Sequence, residues 1–263
     1  MTQPPLTLSR LQNGCLVTRA SFIKQLTQRG FACLTIDDQR LLSALEEGLD
    51  AATALTGFRF PPNDDSPTVY TQVTRDTFSA LFKVSTLCFQ ALCVGHQIPD
   101  PLTHALQALS ASSPALFSDA ATPHEPFCDT DVFAQSFFNL FNYNNGLLNP
   151  HFDRSLLTVI KARSGENTTQ AQSALWIKSE TGDWTNADEA VRPDEVIIMI
   201  GEDCEALGFA VESGLYAAEH AVRVNPAGEY IAHSHFRRDP STPSEYNRSS
   251  AAFILRHEPA SVI

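Results

Sequence analysis

The chain has 263 residues and a formal net charge of −12, with 43% hydrophobic and 18% charged residues. This is an ordinary globular composition, long enough to bury a sizeable core and unlike that of a disordered chain, and the negative charge would repel phosphate backbones, which argues against a nucleic-acid partner. No apolar run is long enough to span a bilayer and the first residues carry no secretory pattern, while six cysteines (Cys15, Cys33, Cys88, Cys93, Cys128, Cys204) lack C-x-x-C spacing, so a cytoplasmic, membrane-free protein with reduced, mostly buried thiols is expected.

Ser21 to Gly30 places apolar residues at 22, 23 and 26 between a capping Ser and a stopping Gly, which predicts a short helix. Phe31 to Ile36 follows as a strand. Asp37 and Asp38 then cap a second helix running to about Leu55, with Leu41, Leu42, Leu45 and Leu49 as its buried stripe. Gly57 to Ser66, with paired prolines and aspartates, is expected to be a loop. From about Arg75 to Cys93 the apolar residues recur at helical spacing, Leu102 to Leu109 makes a further short helix, and the Ser-, Ala- and Pro-rich stretch Ser110 to Asp131 reads as a bridging loop.

Beyond that loop the period changes. Phe133 to Tyr143 alternates, the run after Asp153 is β-branched, and Ala174 to Lys178 is a short strand. Val196 to Ile200, between a Pro193-Asp194 turn and Gly201, has the continuous apolar character of a strand buried on both faces. The expectation is a single α+β domain over 1–263, with a helical support region at 1–131 and a mainly β core at 132–263.

The chemistry concentrates in the second half. His151 and Asp153 are two apart, so in extended backbone they leave the same face while Phe152 turns away. Alone, His-x-Asp is more often a surface pair. Here His220 follows well downstream of Asp153, and Arg248-Ser249-Ser250 opens a final apolar strand. Two imidazoles and one carboxylate are the ligand set that holds non-haem Fe(II) with open coordination positions. An Arg fork beside a Ser hydroxyl suits a carboxylate.

These ordered motifs resemble the Fe(II)- and 2-oxoglutarate-dependent dioxygenases, in particular the branch that includes isopenicillin N synthase and the plant flavonoid and gibberellin oxygenases. The resemblance rests on His151-Phe-Asp153 with Leu157-Thr158, Gly201-Glu-Asp203, Gly214-Leu-Tyr216 through His220 with Val222, and Arg248-Ser-Ser250 with Phe253-Ile-Leu255; Arg29-Gly-Phe31 adds a match in the first half. It implies a double-stranded β-helix, a jelly-roll or cupin-like barrel, with flanking N-terminal helices. It implies that His151, Asp153 and His220 bind Fe(II) as the catalytic triad. It implies that Arg248, Ser250 and Tyr143 hold the distal carboxylate of 2-oxoglutarate, with O2 as the oxidant and a small molecule as the prime substrate. Tyr143 has a second reading as an ordinary wall aromatic.

The stretch between His220 and Arg248 is longer than the family's usual spacing, so Asn225 to Tyr246 reads as an insertion, and Arg223, Arg237 and Arg238 compete with Arg248 for the clamp. The insertion is expected to form a flap near the metal mouth, with His233, His235, Arg237 or Arg238 meeting an acidic or polar substrate. Asp153 argues against a halogenase. His96, His104, His124 and His257 have no ligand-spaced partner, and Trp176 and Trp184 read as packing. Two other functions fit the same residues: an oxidase like isopenicillin N synthase that does without 2-oxoglutarate, and a non-catalytic jelly-roll that keeps a metal site.

Overall fold

A computed structural model describes residues 5–52, 58–60, 72–94, 136–143, 148–164, 174–207, 214–223 and 248–256. The expected helix at 102–109, the loop at 110–131 and the insertion at 225–246 lie outside these residues, as do Cys128, His96, His104, His124, His257, His233, His235, Arg237 and Arg238.

Helix α1 (Leu8–Gln12) is capped by Thr7, whose hydroxyl accepts from Arg10 N–H. Helix α2 (Leu16–Arg29) begins at Leu16, ahead of the expected Ser21, and ends where expected, with Gly30 at φ 78 in the left-handed conformation that spares glycine a Cβ clash. Strand β1 (Phe31–Thr35) leads to α3 (Gln39–Ala52). Of the two predicted caps only Asp38 caps α3, accepting from Arg40 and Leu41 N–H, while Asp37 accepts from Ser9 N–H on α1. The long helix α4 (Gln72–Cys93) matches its predicted span closely.

One expectation is corrected here. Within the predicted loop at 57–66, Phe58–Phe60 forms strand β2, pairing antiparallel with 138–140. So short a segment is too brief for alternation to register, and its pairing partner is a strand distant in sequence.

The second half supplies β3 (Phe137–Tyr143), β4 (Leu148–His151), β5 (Leu157–Ser164), β6 (Ala174–Lys178), β7 (Trp184–Asn186), β8 (Glu195–Ile200), the short helix α5 (Glu202–Ala206), β9 (His220–Arg223) and β10 (Arg248–Leu255). They form two sheets, of order β1-β8-β5-β10-β3-β2 and β4-β9-β6-β7, with every strand pair antiparallel.

Strand alternation divides the core. Leu157 and Val159 of β5, Val196, Ile198 and Ile200 of β8, and Ala251, Phe253 and Leu255 of β10 join one cluster with Phe22, Leu45, Phe82 and Phe89 of the helices. The intervening Ile160, Ile197 and Met199 join Leu175, Ile177 and Val222 of the smaller sheet. The larger sheet is thus sandwiched between helices and the second sheet, which is why β8 is buried at every position and reads as unbroken apolar sequence. Lys161 and Arg163, on the helix side of β5, pair with Glu46 of α3, and Arg163 also pairs with Asp50, anchoring that helix to the sheet.

Candidate metal centre

The antiparallel pairing of β4 with β9 puts His151 directly opposite His220. Residues so paired on one face bring their Cβ atoms within about 5.5 Å, and the two imidazole rings lie 4.2 Å apart, centroid to centroid. Strand β4 ends at His151, so Asp153 sits not on the strand, as the extended reading had it, but in the following turn. Its carboxylate still meets both rings: Oδ1 lies 3.6 Å from His151 Nε2 and Oδ2 lies 3.6 Å from His220 Nε2. Phe152 turns away, 44% exposed.

The donor set fits a divalent metal ion, because one ligand atom from each of the three residues falls within 4.8 Å of the others. His151 Nδ1 lies 2.7 Å from the Asn149 carbonyl and His220 Nδ1 3.1 Å from that of Ala218. A carbonyl can only accept, so each Nδ1 carries the proton and each Nε2 presents its lone pair to the centre. Burial lowers the His220 pKa, against the opposing pull of Asp153, which keeps this imidazole neutral and able to ligate. Thr158 Oγ1 donates to Asp153 Oδ2 at 2.6 Å and lies 3.2 Å from Ser155 Oγ. The turn carrying Asp153 is held from beyond by Glu202 N–H donating to the Asp153 carbonyl and Asp203 N–H to that of Ser155.

This gives the Gly201-Glu-Asp203 motif a structural reason. A Cβ at Gly201 would run into the Ser155 side chain and backbone and come within 2.7 Å of the Asp153 carbonyl, although the residue's φ of −106 is open to any amino acid. Close approach, not backbone strain, requires glycine there.

The triad opens on a cavity of about 280 Å³ between the sheets, whose wall includes Arg248, Ser250, Thr158, Leu175, Arg154 and Arg256. Arg248 and Ser250, with Ala252 and Ile254, are alternate residues of β10 and share its cavity face. Arg248 is 1% exposed and already engaged: its Nε donates to Asp188 Oδ2 at 2.6 Å and its Nη2 to Oδ1 at 3.1 Å. Asp188 lies outside the cavity wall, where it also accepts from Leu175 N–H at 2.9 Å. The pair therefore ties the start of β10 in the larger sheet to β6 in the smaller one. Tyr143 holds the register position opposite Arg248, with its side chain outside the described residues, and the same is true of the Arg223 side chain.

Sequence reasoning missed Asp188, Arg154 and Arg256. No motif links Asp188 to an arginine so far along the chain. The other two were legible, since Arg154 adjoins the His-x-Asp motif and Arg256 continues the alternation 248, 250, 252, 254.

No family model matches the sequence, and no curated protein matches it. Among solved structures, the chain is similar to a candidate oxygenase from Shewanella oneidensis, with TM-score 0.53 and 12% identity over 98% of this chain and 91% of that one. It is also similar to a Pseudomonas putida prolyl-4-hydroxylase, with TM-score 0.45 and 12% identity over 92% and 95%. A candidate 2OG-Fe(II) oxygenase family protein from Caulobacter crescentus aligns with TM-score 0.43 and 15% identity over 97% and 86%. At such identity the likeness to the Shewanella protein is one of fold: this chain's mixed helix and strand architecture with two antiparallel sheets aligns with that structure over nearly its whole length.

Proposed function

We propose that the protein is an Fe(II)- and 2-oxoglutarate-dependent oxygenase acting on a small organic substrate, built on a double-stranded β-helix. One observation carries the reading: a His151, Asp153, His220 cluster and a buried Arg248 beside Ser250 face the same cavity. His151, Asp153 and His220 would hold the iron, and Arg248 with Ser250 would take the distal carboxylate of 2-oxoglutarate.

Bound iron would supply oxygen activation, with one oxygen atom passing to succinate as 2-oxoglutarate loses CO2 and, in a hydroxylation, the other passing to the substrate carbon. The chain supplies position and environment. The two backbone carbonyls fix the histidine tautomers, and Thr158 fixes one carboxylate oxygen. Ile160, Leu175 and Val222 give the cavity an apolar wall that limits water.

The test is succinate formation with Fe(II), ascorbate and 2-oxoglutarate. Wild type should release succinate and Asp153→Ala should not; unchanged release in the variant would contradict the triad assignment. A second reading is an oxidase that does not use 2-oxoglutarate, favoured by the Asp188 carboxylate already on the Nε and Nη2 edge of Arg248. Oxygen consumption independent of 2-oxoglutarate would select it.

A further inference from the structure

The cavity face of β10 runs Arg248, Ser250, Ala252, Ile254 and then, just past the strand, Arg256. The metal cluster lies toward the Arg256 end of that row. Ile254 is the register partner of Thr158, and Thr158 donates to Asp153. Arg256 is thus one inward position beyond that level, roughly 7 Å of strand, whereas Arg248 is three positions before it. Arg154, the residue after Asp153, lines the same cavity.

These two guanidiniums differ from three others in the same half of the chain. Arg163 pairs with Glu46 and Asp50, Arg192 with Asp194 and Glu195, and Arg248 with Asp188. Arg154 and Arg256 pair with no carboxylate among the described residues, in a chain with 30 acidic side chains. Arg256 Nε is buried and lacks any hydrogen-bond partner among the described residues, an arrangement that costs free energy until an acceptor arrives. Its backbone is meanwhile fixed, N–H donating to Ser136 Oγ at 3.0 Å.

Resting on the function proposed above, we infer that Arg256 and Arg154 bind the carboxylate of the prime substrate, which is a small organic acid. Phe137 and Ile254, register partners that both line the cavity, give this end of the row an apolar wall. A short apolar segment of the acid would lie there, presenting a C–H bond to the metal centre several bonds from the carboxylate. A planar carboxylate suits the fork of Arg256, and a cavity of about 280 Å³ limits the substrate to a small molecule. The two ends of the cavity then take two different carboxylates, 2-oxoglutarate at Arg248 and the substrate at Arg256.

Calorimetric titration of hexanoate and phenylacetate, each against its primary amide, into the full chain with Mn(II) and 2-oxoglutarate present tests this. At least one acid should bind tenfold or more tightly than its amide, and Arg256→Gln and Arg154→Gln should each remove most of that preference. Arg154 is exposed, so its variant folds even if that of Arg256 does not. Equal binding of acids and amides, no binding of either acid, or a preference unchanged in the folded variants overturns the inference. The 2-oxoglutarate affinity of Arg248→Gln is read separately: if it equals that of wild type, the co-substrate assignment fails, whether or not the acid preference stands.

Discussion

Asp188 and Arg248 are worth most to the molecule as a pair. Both side chains are buried, and removing one takes a close charge partner from the other, at a cost of about 3–5 kcal/mol. Asp188→Ala should therefore lower stability by that order in denaturant unfolding, while Asp188→Asn, which keeps an acceptor for Arg248, should lose distinctly less. Equal losses would mean that the retained acceptor contributes nothing and that the carboxylate charge alone carries the pair. Thr158 acts on one oxygen of Asp153, so Thr158→Val, which keeps the shape and removes the donor, should weaken Mn(II) binding by about tenfold or more. Unchanged affinity in a titration would remove Thr158 from the metal site.

The thiols divide by environment. Burial pushes Cys33 up to about 11 and Cys93 and Cys204 up to about 12, and raises Cys88 as well, so all four stay protonated at pH 8. At the start of α2, Thr18 lowers the Cys15 pKa, which gives it the larger thiolate fraction. In a Cys128→Ser background, a thiol reagent at pH 8 should modify Cys15 first and the four buried thiols only on unfolding. Early modification of any buried one would contradict the packing of α4, β1 or α5.

Elements that bury a stripe were readable, and those defined by a distant partner were not. Helices α3 and α4 and strands β5, β8 and β10 carry enough apolar residues at one period to declare themselves. The very short strands β2 and β7 and the single-turn helix α5 exist because neighbours supply their hydrogen bonds, and nothing local marks them. The triad was legible as a motif, but the turn holding Asp153 depends on the junction of β8 and α5. Gly201→Ala tests that coupling, because its Cβ must push the 153–155 turn aside. Overpacking of this kind costs about 1–3 kcal/mol, and Mn(II) affinity should fall along with thermal stability; a stability loss with intact metal binding would separate the junction from the site.

At the level of the whole chain, β4–β9 pairing unites two histidines far apart in sequence, and the β10 row lays Arg248 and Ser250 along the same cavity as the His151, Asp153 and His220 cluster. Ordered motifs made this arrangement predictable. They said nothing of the carboxylate behind Arg248 or of the second pair of arginines, since these depend on how the two sheets face each other. No helix among the described residues is long and apolar enough to cross a membrane. The central claim is that one cavity holds a metal at His151, Asp153 and His220 and a carboxylate at Arg248 and Ser250. A crystal structure prepared without oxygen in the presence of Fe(II) and 2-oxoglutarate tests it most directly. The account predicts iron bonded to Nε2 of both histidines and to the Asp153 carboxylate, with the far carboxylate of 2-oxoglutarate hydrogen-bonded to Arg248 and Ser250 while Asp188 keeps its own bonds; iron bound elsewhere, or 2-oxoglutarate absent from Arg248, would contradict it.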